Sequence, residues 1–483
     1  MAKGAALNPV PNVFTVWYWF APQGLAIRPP YRWTCYDIQR AVPTVRVSYP
    51  VNAFVRLVLQ LKTLPQIKAG GRATNPKFSS TPGVQIALSE FKDVTYNEDK
   101  HTATAGAGLS WAELYAELQP LGVTVVGGRI VGVGMSGVAL GGGKHILHLS
   151  NSFLARARYS YISNRHGLVT DNIVAFELVL PNGEITTVTA ESNPELSWAL
   201  KGGYNNFGII THYVFKTHSL GDVWGGGLIY TQPNIDLVVS AVADFQASNT
   251  NVDATIVAVY THVPAAVLSV TLFYNGSTRP PNIFDKFFDI PRAQEDVKTR
   301  TYTDLISAAS GPFLQNDLRG AMHTVSLTDL SVGVIEEILD QINYYYDGGG
   351  KFAEGTSLIV FIEPFINTGG VTSSKSDSSY PHNKFFTPLS LLWRWPDAGS
   401  DDIGRENLKR AAAAITTTAE GEGQKLADLP LYSDYSLSDT PLEKLYTVNL
   451  PKLQRLRKKY DPYETDGHIS LRLVMNLAGG FHF

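Results

Sequence analysis

Three glycine clusters hold the residue types and spacings best suited to binding chemistry. The first, Lys68-Ala-Gly-Gly-Arg-Ala-Thr-Asn75, sets Gly70 and Gly71 side by side. Adjacent glycines carry no Cβ, so their backbone N–H groups can converge on a phosphate; the same pair also makes an ordinary turn. The second runs from Gly127 to Gly143 as Gly-Gly-Arg-Ile-Val-Gly-Val-Gly-Met-Ser-Gly-Val-Ala-Leu-Gly-Gly-Gly. Its spacing is neither collagen-like nor that of a Walker loop, and ordering so many glycines costs backbone entropy unless something lies closely against them. A planar, phosphate-bearing cofactor is one occupant that fits, and an irregular glycine-rich loop is the alternative. The third, Trp198-Ala-Leu-Lys-Gly-Gly-Tyr-Asn-Asn-Phe-Gly-Ile-Ile210, ends a helix and opens a strand, with Gly202 and Gly203 also readable as a helix stop.

The elements that must hold these clusters can be read around them. Short β-rich runs at Val84–Leu88, Ala103–Ala107, Val123–Val126, Val174–Leu180, Glu184–Thr189 and Ile209–Lys216 alternate with the glycines. Two segments there read as helices, Trp111–Leu118 after Ser110 and Pro194–Leu200 after Asn193, each entered through a capping residue. Frequent strands with few helices give an α+β layer, and Leu180-Pro-Asn-Gly183 is a hairpin turn. Past Val223, strands near Gly227–Tyr230, Thr255–Val263, Val267–Tyr274 and Ser357–Glu363 alternate with amphipathic stretches near Ile235–Ala247 and Ser331–Tyr346, which describes a second sheet covered by helices. A final helix, Thr440–Tyr460, contains Pro451, which should kink or divide it.

A chain of 483 residues needs more than one core, and 44% hydrophobic with 17% charged content suits a folded, soluble protein. With 40 basic and 43 acidic residues, a net charge of -3 and no basic stripe, nucleic acid is a poor partner. The Arg455–Lys459 cluster reads as the wet face of a helix. One cysteine, Cys35, excludes an internal disulfide and a cysteine-rich metal site. His145 and His148 are the closest histidine pair and have no carboxylate beside them, so no metal is expected. Val13–Ala21 has the character of a secretory h-region but suits a strand or an irregular arm equally well, and it is too short to span a bilayer.

Taken together, the three clusters, the Ser110-Trp111 helix, the Asp171–Gly183 segment and the closing Lys459-Tyr-Asp-Pro462 with Leu477-Ala-Gly-Gly480 resemble the berberine-bridge-enzyme-like branch of the vanillyl-alcohol-oxidase fold, in its fungal form. The resemblance runs from about Gln66 to the C-terminus. It implies an FAD-binding domain of PCMH type made of two α+β subdomains over residues 1–220, a substrate domain over 221–425 with an antiparallel sheet covered by helices, and a C-terminal segment, 426–483, returning to the first. By the same resemblance, FAD would touch Gly70, Gly71, Arg72, Ala73, Thr74, Gly132, Gly134, Gly137, Asn206, Gly208, Ile210 and Asn449. Tyr159, Tyr432 and Tyr435 would be the catalytic residues, and Glu363, Tyr380, Trp393 and Trp395 would face the substrate. The implied reaction passes a hydride from a CH–OH or CH–NH donor of a small molecule to flavin, with dioxygen as acceptor and hydrogen peroxide as product, in a monomer with no membrane partner. Relatives are mostly secreted, and Asn275-Gly-Ser277 is a possible glycosylation acceptor.

Several positions depart from the pattern. The family's flavin-linking histidine is Arg72 here and its linking cysteine is Gly128, so FAD is expected to be non-covalent. Asp434 replaces an asparagine in Tyr432-Ser-Asp-Tyr435 and should raise a neighbouring tyrosine's pKa. Residues 144–158 and about 465–473 are insertions, either real loops or unspliced sequence. Beside an active oxidase, the same residues allow a flavin-binding protein without redox activity or a mis-spliced inactive product.

Overall fold

The computed structural model describes residues 44–46, 65–70, 84–141, 160–262, 265–310, 318–349, 355–366 and 377–461. Gly71, Arg72, Ala73, Thr74, Tyr159, both insertions and nearly all of the first 64 residues lie outside the described residues.

In the first half of the chain the strands are β1 (Thr44–Arg46), β2 (Pro65–Lys68), β3 (Val84–Ala87), β4 (Val94–Asn97), β5 (Thr102–Gly106), β6 (Val123–Thr124), β7 (Ile173–Val179), β8 (Ile185–Thr189), β9 (Ile209–Lys216) and β10 (His218–Ser219). Among the described residues, β3 pairs in parallel with both β1 and β2, while β4-β5-β9-β7-β8 form an antiparallel sheet. The helix Trp111–Leu118 forms where Ser110 predicts it: the Ser110 hydroxyl accepts from Glu113 N, and the Glu113 carboxylate accepts from Ser110 N. That reciprocal cap stabilises the helix by about 1 kcal/mol. Its inner face buries Trp111, Leu114, Tyr115 and Leu118.

The second half supplies β11 (Val223–Thr231), β12 (Ala254–His262), β13 (Ala266–Tyr274), β14 (Gln294–Arg300), β15 (Arg319–Leu327), β16 (Ser357–Ile362) and β17 (Thr387–Trp395). They form one antiparallel sheet in the order β14-β11-β13-β12-β16-β17-β15. Alternation gives this sheet two unlike faces. On one, Leu358, Val360, Leu391 and Trp393 are buried beneath the helices Val332–Tyr344 and Asp401–Gly421. The opposite face carries Thr255, Thr271, Ser269, Ser357 and Ser390, and contacts the first half of the chain through Thr255, whose hydroxyl donates to Tyr161 O at 2.8 Å. The architecture is α+β, with an antiparallel sheet covered by helices.

The last helix is divided, as Pro451 predicted, into Leu442–Tyr446 and Leu450–Tyr460, the break falling at Thr447 with φ 45°. Arg455 and Lys459 lie on its wet side, within 3.7 and 3.1 Å of Glu195, whereas Arg457 is buried.

Candidate active site

The first two glycine clusters meet main chain to main chain. A Cβ built on Gly70 would stand 2.7 Å from Gly134 Cα, and one on Gly134 2.6 Å from Gly70 Cα. Only glycine permits that approach, and it brings two loops together with no side chain between them, which is the cradle a dinucleotide's diphosphate requires. Gly132 precedes the contact and Gly137 lies in the following helix, Met135–Gly141. The residues present therefore fit FAD at this junction. Gly128 packs so tightly on Trp111 that a Cβ would fall 2.5 Å from its ring.

The third cluster plays a scaffolding part. Asn206 Nδ2 donates to Gly203 O at 2.8 Å, Gly208 packs on Val179 O, and Ile210 pairs with Leu178 in the β7–β9 register. Asn449 Nδ2 donates to Ser379 O at 3.0 Å, and the Tyr446 hydroxyl donates to Gly202 O at 3.1 Å. Together with Ser379 N, which donates to Trp198 O and Lys201 O, these bonds fasten the 377–380 stretch onto the Lys201-Gly202-Gly203 turn. His382 ties the same stretch to the first half of the chain, its ring 3.1 Å from Asp171. Burial opposes ionisation of Asp171, but the His382 bond and charge win and hold its pKa below the usual carboxylate value.

A buried polar group joins three distant parts of the sequence. Arg129, from the second glycine loop, places Nη2 2.5 Å from Glu363 Oε1, at the end of β16. The Tyr435 hydroxyl donates to the same oxygen at 3.1 Å. The Arg129 side chain is 5% exposed and that of Glu363 0%. Tyr161 and Phe365 flank the guanidinium, with ring centres at 5.5 and 6.0 Å. Burial raises the Glu363 pKa while the Arg129 charge pulls it back, and the ion pair holds Arg129 as a cation. Burial lifts Tyr435 well above its ordinary value, assisted by the charge of Glu363 and, in smaller part, by that of Asp434. Burial also pushes Tyr161 up to about 12, against the pull of Arg129.

Of the expected catalytic tyrosines, Tyr432 and Tyr435 pack edge to face at 4.7 Å. The Tyr432 hydroxyl donates to Asp434 at 2.9 Å, and Tyr204 donates to the other Asp434 oxygen at 3.4 Å. Tyr380 joins them, 5.9 Å from Tyr432. Trp393 and Trp395 stand apart: Trp393 packs on Tyr345 at 4.9 Å, and Trp395 lies on Gly404 with its indole N–H donating to Asp401 at 2.8 Å. Both therefore lie on the helix-covered face, because β17 pairs Ser357 with Arg394 and so turns the tryptophans away from Glu363. Arg394 lies on the opposite face, lining a cavity of about 290 Å3 with Ser357, Ile359 and Thr271. Arg129 and Tyr161 were not singled out from the sequence, although Arg129 is the one charged residue in the glycine run, a signal that could have found it.

Among the described residues, no helix is long and apolar enough to cross a membrane, and no group of three His, Cys, Asp or Glu residues is placed to hold a metal. The paired loops and the two-faced sheet define a flavoprotein oxidoreductase fold. No protein-family model matches the chain. It is 36% identical over 432 residues to the FAD-dependent monooxygenase macF of Penicillium terrestre, covering 87% of this chain and 78% of that protein. It is 38% identical over 244 residues to an uncharacterized FAD-linked oxidoreductase of Arthroderma benhamiae, spanning 50% of this chain and only 46% of the relative. The fold matches the BBE-like 1 protein of Physcomitrella patens with a TM-score of 0.69 at 20% identity, over 89% and 91% of the two chains. It also matches a xylooligosaccharide oxidase of Myceliophthora thermophila at 0.66 and 19%, over 87% and 89%. The chain belongs to the family of FAD-dependent oxidoreductases that includes macF, and its fold is that of the berberine-bridge-enzyme-like proteins.

Proposed function

We propose that this protein is an oxidase, holding FAD non-covalently and taking a hydride from a CH–OH or CH–NH carbon of a small molecule. The observation that carries the reading is the buried line from Tyr435 to Glu363 to Arg129. FAD, held where the Gly70 and Gly134 loops meet, would supply the hydride acceptor, its reoxidation by dioxygen giving hydrogen peroxide. Tyr435 Oη takes the proton of the substrate hydroxyl or amine as its own proton passes along the existing bond to Glu363 Oε1. A buried phenol is too weak an acid to act as a free phenolate, so this coupled transfer is the route that avoids a bare tyrosinate. Burial raises the Glu363 pKa and so favours its receiving the proton, while the Arg129 charge opposes that rise. Tyr432, engaged with Asp434, positions Tyr435 by its ring. Arg72 and Gly128 stand at the two positions where the resemblance implies flavin attachment, and neither side chain can form that bond.

The test is anaerobic mixing of the purified flavoprotein with sugars, benzylic alcohols and alkaloids, followed by reoxidation in labelled dioxygen. The reading requires loss of oxidised-flavin absorbance, one peroxide per substrate and no label in the product. Tyr435→Phe should slow flavin reduction by about 10²- to 10⁴-fold with FAD content unchanged. Label in the product would instead assign the monooxygenase chemistry for which several relatives are named. Reduction of Tyr435→Phe at the wild-type rate would remove Tyr435 from the reaction.

A further inference from the structure

We infer that Arg129 Nη1 and Glu363 Oε2 act as a paired donor and acceptor for a hydroxyl and a carbonyl borne side by side on a flat, conjugated substrate. The inference rests on the oxidase reading above for where the substrate lies. A guanidinium and a carboxylate usually close on each other through two parallel bonds. Here a single bond is made, Nη2 to Oε1, and Oε1 also accepts from Tyr435. Arg129 Nη1 and Glu363 Oε2 are left buried with no hydrogen-bond partner. Unpaired buried polar atoms are costly, and a pair of opposite character at one ion pair describes what would satisfy them: an acceptor oxygen facing Nη1 beside an O–H facing Oε2. The charges of Arg129 and Glu363 offset each other, and the buried carboxylate of Asp434 stands nearby with Tyr432 and Tyr204 on its oxygens, so nothing in the cluster calls for an anionic ligand. Ring walls supply the preference for flatness: Tyr161 and Phe365 flank the guanidinium, and Tyr161 is itself stacked on Phe273 at 5.2 Å. Vicinal hydroxyls of a sugar could make the same bonds but would meet aromatic walls with a puckered ring.

Calorimetric titration of the flavin-loaded protein tests this with three probes: maltol, which carries vicinal hydroxyl and carbonyl groups on a flat ring, the same ring lacking the hydroxyl, and cellobiose. Maltol should bind at least about tenfold more tightly than the ring without its hydroxyl, because a site built to accept from that group is left unpaired by the analogue. Cellobiose should bind more weakly than maltol. In the double variant Arg129→Met/Glu363→Gln, which removes both charges together and keeps an acceptor for Tyr435, the preference should fall to within about twofold while FAD content and near-UV circular dichroism stay unchanged. Arg129→Lys, which keeps a cationic donor, should retain part of it. Equal binding of the two rings, no heat from either, tighter binding of cellobiose, or a preference that survives in the double variant would each overturn the inference. Failure of the protein to take up FAD would overturn the oxidase reading instead, so the two are told apart.

Discussion

Replacing Arg129 with methionine keeps much of the stem's bulk and removes the cation bonded to Glu363. The Glu363 side chain is 0% exposed, so bulk solvent does not reach the carboxylate. Breaking one side of a buried ion pair costs about 3–5 kcal/mol, a large part of the roughly 5–15 kcal/mol that holds a typical protein folded. The carboxyl has one escape, which is to bind a proton. Burial already raises its pKa against the pull of Arg129, so in the variant it rises further. A carboxyl whose folded pKa lies above its unfolded value of about 4.3 binds more protons when folded. The variant is therefore least impaired near and below that pH and loses stability as pH rises through the folded pKa, by up to about 1.4 kcal/mol per unit. Wild type has the same sign and a shallower slope. Urea unfolding of the flavin-loaded protein between about pH 5 and pH 8 measures both slopes. Arg129→Met/Glu363→Gln should recover most of the loss and flatten the curve. A single variant as stable as wild type at the alkaline end, or single and double variants with one common slope, would refute the buried pair.

Three further outcomes follow from other parts of the molecule. Acid precipitation should leave the flavin in the supernatant, since Arg72 and Gly128 offer no linking atom; a yellow pellet would show a covalent bond made elsewhere. Gly134→Ala should weaken FAD binding, because the new methyl would lie 2.6 Å from Gly70 Cα and drive the two loops apart; an unchanged FAD dissociation constant would mean that this contact does not shape the cradle. His218, which stacks on His166 at 3.7 Å, is pushed down to about 4 by burial and then by the neighbouring charges. It binds fewer protons folded than unfolded, so stability should drop as pH falls from about 6.5 toward the folded value. His218→Gln should show a shallower fall of melting temperature in that window, and an equal fall would exclude His218 as its source.

Local structure was legible wherever one stretch of sequence decides it. Trp111–Leu118 starts at Ser110 because Ser110 and Glu113 satisfy each other's backbone donors, and Ile209–Lys216 forms over the bounds its β-rich run predicts. The Asp401–Gly421 helix was not picked out, since much of its buried stripe is small residues, Ala411, Ala412 and Ala419 among them, which carry little hydrophobic contrast. Alternation put Trp393 and Trp395 on one face together, but only the pairing of β16 with β17 decides which face that is. The candidate site was legible in pieces. Tyr432, Tyr435 and Glu363 came from resemblance, whereas the meeting of Arg129 with Glu363 joins residues 234 positions apart and exists only once the two sheets are docked.

The fastening of the 377–380 stretch to the Gly202 turn has a mechanical consequence. The polypeptide leaves the five-stranded sheet after Lys216, builds the seven-stranded one, and comes back through Tyr446 to the Gly202 turn that precedes β9, with Asn449 on Ser379 beside it. The two sheets are thus closed into a ring of covalent chain and hydrogen bonds rather than strung on one flexible strap. Swinging the seven-stranded sheet away from the five-stranded one would first require breaking those bonds.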